Sequence, residues 1–104
     1  MSYFVVFATD RPGMDERRER LRPAHREYLR CPQPHGVRVC LGGPTLDSEG
    51  QRMNGTLLVV QAASRTEVEA FLQDDPYIRN DLFAHLEVRP WLWGLGQPVQ
   101  EAAS

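Results

Sequence analysis

Tyr3-Phe4-Val5-Val6-Phe7-Ala8-Thr9 and, further along, Gly55-Thr56-Leu57-Leu58-Val59-Val60-Gln61-Ala62 are the stretches that decide the fold. Both are rich in β-branched and aromatic residues, which suit a pleated, buried surface, so both read as strands. A strand with one wet face alternates apolar and polar residues. These two do not, because Tyr3 to Phe7 and Leu57 to Val60 are apolar in both registers. They belong inside a sheet that is covered on both faces.

Outward from these strands, the pattern changes period. The first strand ends at the turn cluster Asp10-Arg11-Pro12-Gly13. From Met14 to about Arg30, Met14, Leu21, Ala24, His25, Tyr28 and Leu29 recur near the helical period. Pro23 interrupts this run, which predicts a kink there, or a short helix followed by a second with Pro23 in its opening turn. Pro32, Pro34 and Gly36 end it. Val37 to Leu41 predicts another strand, closed by Gly42-Gly43-Pro44, and the polar stretch Thr45 to Asn54 a hairpin loop. Ser64-Arg65-Thr66-Glu67 is a capping box, in which the serine hydroxyl accepts from the glutamate N–H and the glutamate reaches back. It opens a helix with Val68, Phe71 and Leu72 on its inner face. Asp74-Asp75-Pro76-Tyr77 ends or redirects that helix. A short segment from Ile78 to Phe83 leads to a last strand, His85 to Trp93. Residues 1–94 are expected to form one domain, and 95–104 a polar, frayed tail.

The resulting order is β-α-β-β-α-β, an α+β arrangement. Right-handed crossovers turn it into a ferredoxin-like antiparallel sheet of order 4-1-3-2 with its helices on one face. Pro44 and Pro90 agree, since both fall on strands that this order places at the edges. Two helices cover one face of four strands, and the other is too apolar to stay wet. A second copy of the chain packed against it, making a dimeric α+β barrel, is the expected solution. The alternative cover is the tail with Trp91 and Trp93, but little chain remains there to do it.

Composition narrows the function classes. At 104 residues, 41% hydrophobic and 25% charged, the chain is an ordinary globular domain. The net charge is −2, and every basic residue is arginine. Arg17, Arg18, Arg20, Arg22 and Arg26 alternate with Asp15, Glu16, Glu19 and Glu27, which reads as a solvated, self-neutralising helix face. Nucleic-acid binding needs an uncompensated basic patch and is not expected. No apolar run approaches a membrane span of about 20 residues, and no secretory leader is visible, so the cytoplasm is the expected compartment. Cys31 and Cys40 lack a CxxC spacing and are expected to be half-buried thiols rather than a bridge. With His35 between them they still do not match a zinc site, so no metal is expected. Neither a phosphate-binding glycine loop nor a GxSxG serine is present. No cofactor is expected.

Two ionisable residues stand on apolar faces. Asp75 follows Val68 by seven residues and Phe71 by four, which places it on the inner face of the second helix. His25 follows Leu21 by four on the inner face of the first. A buried carboxylate needs a partner, and this histidine can supply one. Aspartate holding one imidazole nitrogen leaves the other as a base near neutral pH. A purely structural ion pair, or two residues satisfied separately by backbone or water, would leave the same sequence trace.

Arg22-Pro23-Ala24-His25, Gly43-Pro44 and Asp75-Pro76-Tyr77, in this order and at these spacings, resemble the YciI-like family of YCII-related domains. The resemblance runs from Tyr3 to about Trp93. It implies a ferredoxin-like fold, a dimeric α+β barrel, and an active site made by the histidine and aspartate of these motifs, here His25 and Asp75. One departure is that Pro32 and Pro34 cut the first helix early, so the pocket rim near His35 is expected to differ. One branch of the family resembles enzymes that eliminate chloride from chlorinated hydroxyquinols. The wider superfamily includes muconolactone isomerases and cofactor-free oxygenases.

Around that pair, Arg22 can hold an anionic substrate through its forked donors, or pair on the helix surface with a neighbouring glutamate. Gly43 lets backbone approach a ligand closely, and Tyr77 is a candidate lining residue, with Phe83 better placed in the core. The expectation is a cofactor-independent lyase or isomerase of a small phenolic or lactone-like compound, with His25 as base and Asp75 fixing its tautomer. The competing reading is a binding or accessory dimer that uses the same pocket without catalysis. A third is a dimer in which the pair only stabilises the fold.

Overall fold

The computed structural model describes residues 2–31 and 34–96. Its elements are β1 (Ser2–Asp10), α1 (Asp15–Arg30), β2 (Arg38–Leu46), β3 (Met53–Ala62), α2 (Arg65–Gln73), α3 (Pro76–Arg79) and β4 (Phe83–Trp91). The sheet order is β2-β3-β1-β4, which is 4-1-3-2 read from the other edge. All three pairings are antiparallel. The α+β, ferredoxin-like arrangement read from the sequence is the one observed. Of the tail, residues 97–104 lie outside the described residues, as does Pro32 among those expected to end α1.

The two apolar runs occupy the centre of the sheet. Phe4 faces Val60 on one side and Pro90 on the other, and Val6 likewise faces Leu58 and Val88. These alternate residues point toward the helices, where they pack with Val68, Phe71 and Leu72 of α2 and with Tyr28 and Leu29 of α1. The intervening residues point away, and there Phe7, Leu57 and Leu41 of β2 are 48%, 43% and 55% exposed. Trp93 folds back edge-on to Tyr3, with ring centroids 5.4 Å apart, and covers one end of that face. It leaves the middle open.

Several local expectations are corrected. Pro23 does not divide α1, which runs unbroken over 16 residues. The missing N–H concerns the carbonyl of Glu19, and both Glu19 and Pro23 are exposed, so water can replace the lost bond. Gly42-Gly43-Pro44 does not close β2 but lies within it, with Pro44 opposite Thr56. An edge strand leaves one side without ladder bonds, so a proline there costs no pairing. The hairpin loop shrinks accordingly to residues 47–52. There the Asp47 carboxylate accepts N–H bonds from Gln51 and Glu49. The Gln51 bond is the main reason that its acidity is increased.

The capping box forms only in part, because the Ser64 hydroxyl donates to the Glu67 carboxylate instead of accepting a backbone N–H. Of the cysteines, Cys31 is exposed rather than half-buried and donates to Glu27, while Cys40 is half-buried. Both are thiols. The last strand begins and ends two residues earlier than expected, at Phe83 and Trp91.

Candidate active site

Asp75 reaches the site by a different route from the one its spacing suggested. It lies beyond α2, as the N-cap of α3, and Pro76 occupies the first turn of that helix. Its Oδ1 accepts the N–H of Tyr77 at 2.9 Å. The same oxygen lies 2.8 Å from Nδ1 of His25, so α1 and α3 meet at this atom. Both side chains are buried, Asp75 at 1% and His25 at 6% exposure. An ionised carboxylate can only accept, so opposite one Nδ1 is the donor, and a neutral imidazole held this way has its lone pair on Nε2. Among the described residues Nε2 has no hydrogen-bond partner, yet no side-chain nitrogen is both sealed from solvent and unpartnered. Nε2 therefore has access to the cavity that His25 lines.

That cavity has a volume of about 610 Å³ and lies between α1 and the β2–β3 edge of the sheet. This is within the range usual for small-molecule sites. Arg22, Gly43 and Tyr77 line it with His25, while Asp75 does not line it and meets the site through its contact with His25. Tyr77 stacks on His25 with ring centroids 3.8 Å apart and planes 14° off parallel. Burial pushes its phenol above the ordinary tyrosine range, with Arg18 and Arg22 opposing the shift, so it stays protonated at neutral pH. Phe83 meets Tyr77 edge-on from behind and does not line the cavity. Beyond α1, His35 Nε2 lies 2.8 Å from a carboxylate oxygen of Asp74, tying the chain after α1 to the neighbour of Asp75. Tyr28 makes a second tie, donating to the carbonyl of Phe71, and burial raises its phenol to about 12.

The sequence reading missed Arg18. It was placed on a solvated face, whereas it is 3% exposed and lies at the inner end of the cavity. Its guanidinium forks onto Asp10 at 2.6 and 2.9 Å and also donates to the Gly55 carbonyl and the Thr56 hydroxyl, both at 2.9 Å. It lies over the Tyr77 ring, 4.7 Å from the centroid. A Cβ on Gly55 would fall 2.3 Å from the Ala8 carbonyl oxygen, so only glycine lets these strands close beneath Arg18. One signal was available. Arg18 precedes His25 by seven residues, two helical turns, and so shares its face. Alternating charge in the sequence concealed this, and no ion pair forms within the run: Asp15, for example, pairs with Arg52 instead.

Among the described residues, no three His, Cys, Asp or Glu side chains gather as a metal site would require. No helix among them is long and apolar enough to cross a membrane. What the cavity offers is an oriented base, an aromatic platform and a cationic wall.

Comparison with known proteins gives this geometry relatives. The model of the YCII-related domain matches residues 2–92. Protein YciI of Escherichia coli and that of Shigella flexneri are each 26% identical over 92 residues, covering 85% of this chain and 94% of theirs. Among solved structures, the 5-chloro-2-hydroxyhydroquinone dehydrochlorinase of Burkholderia phenoliruptrix, in complex with 2,5-dihydroxybenzoquinone, is similar with a TM-score of 0.75 and 32% identity. That similarity covers 88% of this chain and 95% of the dehydrochlorinase chain.

Proposed function

The chain belongs to the YCII-related domain family, and from that premise we propose that it is a cofactor-independent lyase or isomerase of a small phenolic or lactone-like substrate. The observation that carries the reading is the Asp75-held imidazole of His25, with Nε2 open to a cavity floored by Tyr77. In this reading Nε2 takes a proton from a ring hydroxyl or an activated carbon. The electron pair left behind forms a new double bond, and a leaving group such as chloride departs with its own pair. In an isomerisation the imidazolium returns the same proton to a different carbon. Neither route needs an electron carrier, which supports a reaction without a cofactor. Asp75 keeps the Nδ1 proton in place and stabilises the imidazolium electrostatically. Tyr77 stacks beneath the base, Arg22 neutralises charge developing on the substrate, and the bare backbone of Gly43 admits the ring.

Similarity to a dehydrochlorinase supports the elimination. The direct test is to incubate the protein anaerobically with 5-chloro-2-hydroxyhydroquinone and follow chloride release together with quinone absorbance. One chloride per quinone, at a rate proportional to protein, is expected. Failure on this compound, on other chlorinated hydroquinones and on enol-lactones would leave the pocket without the proposed chemistry.

The working unit is proposed to be a homodimer, joined through the sheet face that exposes Phe7, Leu41 and Leu57. Burying that patch supplies the driving force. Sedimentation velocity between about 1 and 100 μM should give a dimer throughout, by the usual stability of interfaces of this kind. A folded monomer across that range would exclude the pairing. The cytoplasm is the proposed compartment, which suits two cysteines that remain thiols.

A further inference from the structure

We infer that the substrate carries an anionic arm, which runs outward from the His25 end of the cavity along Arg22, Arg26 and Arg30 and meets Arg38 at the mouth. The arginines of α1 recur every fourth residue, at 18, 22, 26 and 30, and all four line the cavity. Each step advances about 6 Å along the helix axis, so Arg22 to Arg30 spans about 12 Å. Their exposure increases in the same direction: Arg18 is buried, Arg22 half-buried, and Arg26 and Arg30 exposed. Arg38 of β2 faces this row across the opening.

No carboxylate on the cavity side pairs with the outer part of this wall. No aspartate or glutamate lines the cavity. Arg18 is neutralised by Asp10, but Arg22, Arg26, Arg30 and Arg38 have no ion-pair partner among the described residues. Glu19 and Glu27 share a groove on the outer side of α1 with Arg22, Arg26 and Arg30, but neither carboxylate comes within ion-pair distance of them. Four like charges around one opening repel one another, in a protein whose net charge is −2. An anion relieves that repulsion, and a concave wall of one sign also raises its encounter rate. Volume points the same way. A single ring fills only a minor part of about 610 Å³, leaving room for an arm that reaches the outer arginines. Carboxylate and phosphate both present the flat or forked oxygens that guanidinium binds in pairs. The shared chemistry is an acidic group carried on a ring.

This inference deepens the ring-binding reading of the same cavity, and the test separates the two. Titration calorimetry at low ionic strength would compare 4-propylphenol with 4-(4-hydroxyphenyl)butanoate, which adds only a terminal carboxylate, and 3-(4-hydroxyphenyl)propan-1-ol with its phosphate monoester on the propyl oxygen. The acidic member of at least one pair should bind tenfold or more tightly than its neutral partner, and which pair does so identifies the arm. The preference should shrink to within about twofold in the Arg26→Gln/Arg30→Gln/Arg38→Gln variant and weaken in 0.5 M salt, as screening requires. Arg26→Gln alone should remove part of it. These side chains have no ion-pair partner, so circular dichroism and melting should be unchanged.

Equal affinities within both pairs, or a preference that survives the triple variant, would overturn the arm while leaving the ring site intact. An arginine-dependent preference together with absolute affinities left unchanged by His25→Ala would keep the arm and discard the ring site. Undetectable binding of both acidic probes would overturn the inference outright.

Discussion

Replacing Arg18 by methionine should cost about 3–5 kcal/mol of folding stability, the usual loss when a buried ion pair is broken from one side. The reason is what the substitution leaves behind. Asp10 would keep a nearly buried carboxylate facing no cation, and the Gly55 carbonyl and Thr56 hydroxyl would each lose a donor. A domain of this size has about 5–15 kcal/mol in total, so the variant should unfold at markedly lower urea. Asp10→Asn should be less damaging, because an amide oxygen still accepts from the guanidinium. The double variant Arg18→Met/Asp10→Leu should be more stable than the sum of its single changes, as for any coupled pair. Equilibrium urea unfolding of the set checks this. A loss below about 1 kcal/mol for Arg18→Met would mean that water or a rearranged side chain satisfies Asp10 without it.

His25→Ala should instead spare the fold and abolish turnover, by at least about a hundredfold as expected for loss of a general base. Asp75 would keep its bond from the Tyr77 N–H, and the space vacated by the imidazole opens onto the cavity, so water can reach the carboxylate. Melting should fall by only a few degrees. Asp75→Asn should lose activity to a similar degree, since an amide no longer fixes the tautomer or balances an imidazolium. If both variants melted more than about 10 °C lower, the pair would be a structural bridge and not a site; that shift corresponds to a loss of a few kcal/mol in a domain of this length.

Much of this could be read before any coordinates. Right-handed crossovers placed β1 and β3 at the centre, and the prolines agreed with β2 and β4 at the edges. His25 and Asp75 stood out because ionisable groups on apolar faces need partners. What escaped the sequence depended on long-range geometry. Arg18 looked solvated because glutamates flank it along the chain, while the residue that neutralises it arrives from β1. Asp75 was counted onto α2 by its distance from Phe71, although the proline after it had already made it the start of the next helix. Gly42-Gly43-Pro44 looked like an end because turn residues usually are one, and an edge strand is the place where they need not be. The stripe from Arg18 to Arg30 was visible as spacing, but whether it faced water or a cavity depended on where β2 ran.

Asp75 Oδ1 has one further consequence, because it accepts from the imidazole and from the Tyr77 amide at once. That backbone proton can exchange with solvent deuterium only when the carboxylate lets it go. Any event that draws the carboxylate toward the ring or away from it will therefore change the exchange rate at position 77. A single amide in a short helix becomes a spectroscopic reporter on the Asp75–His25 contact, readable in the intact protein without any ligand.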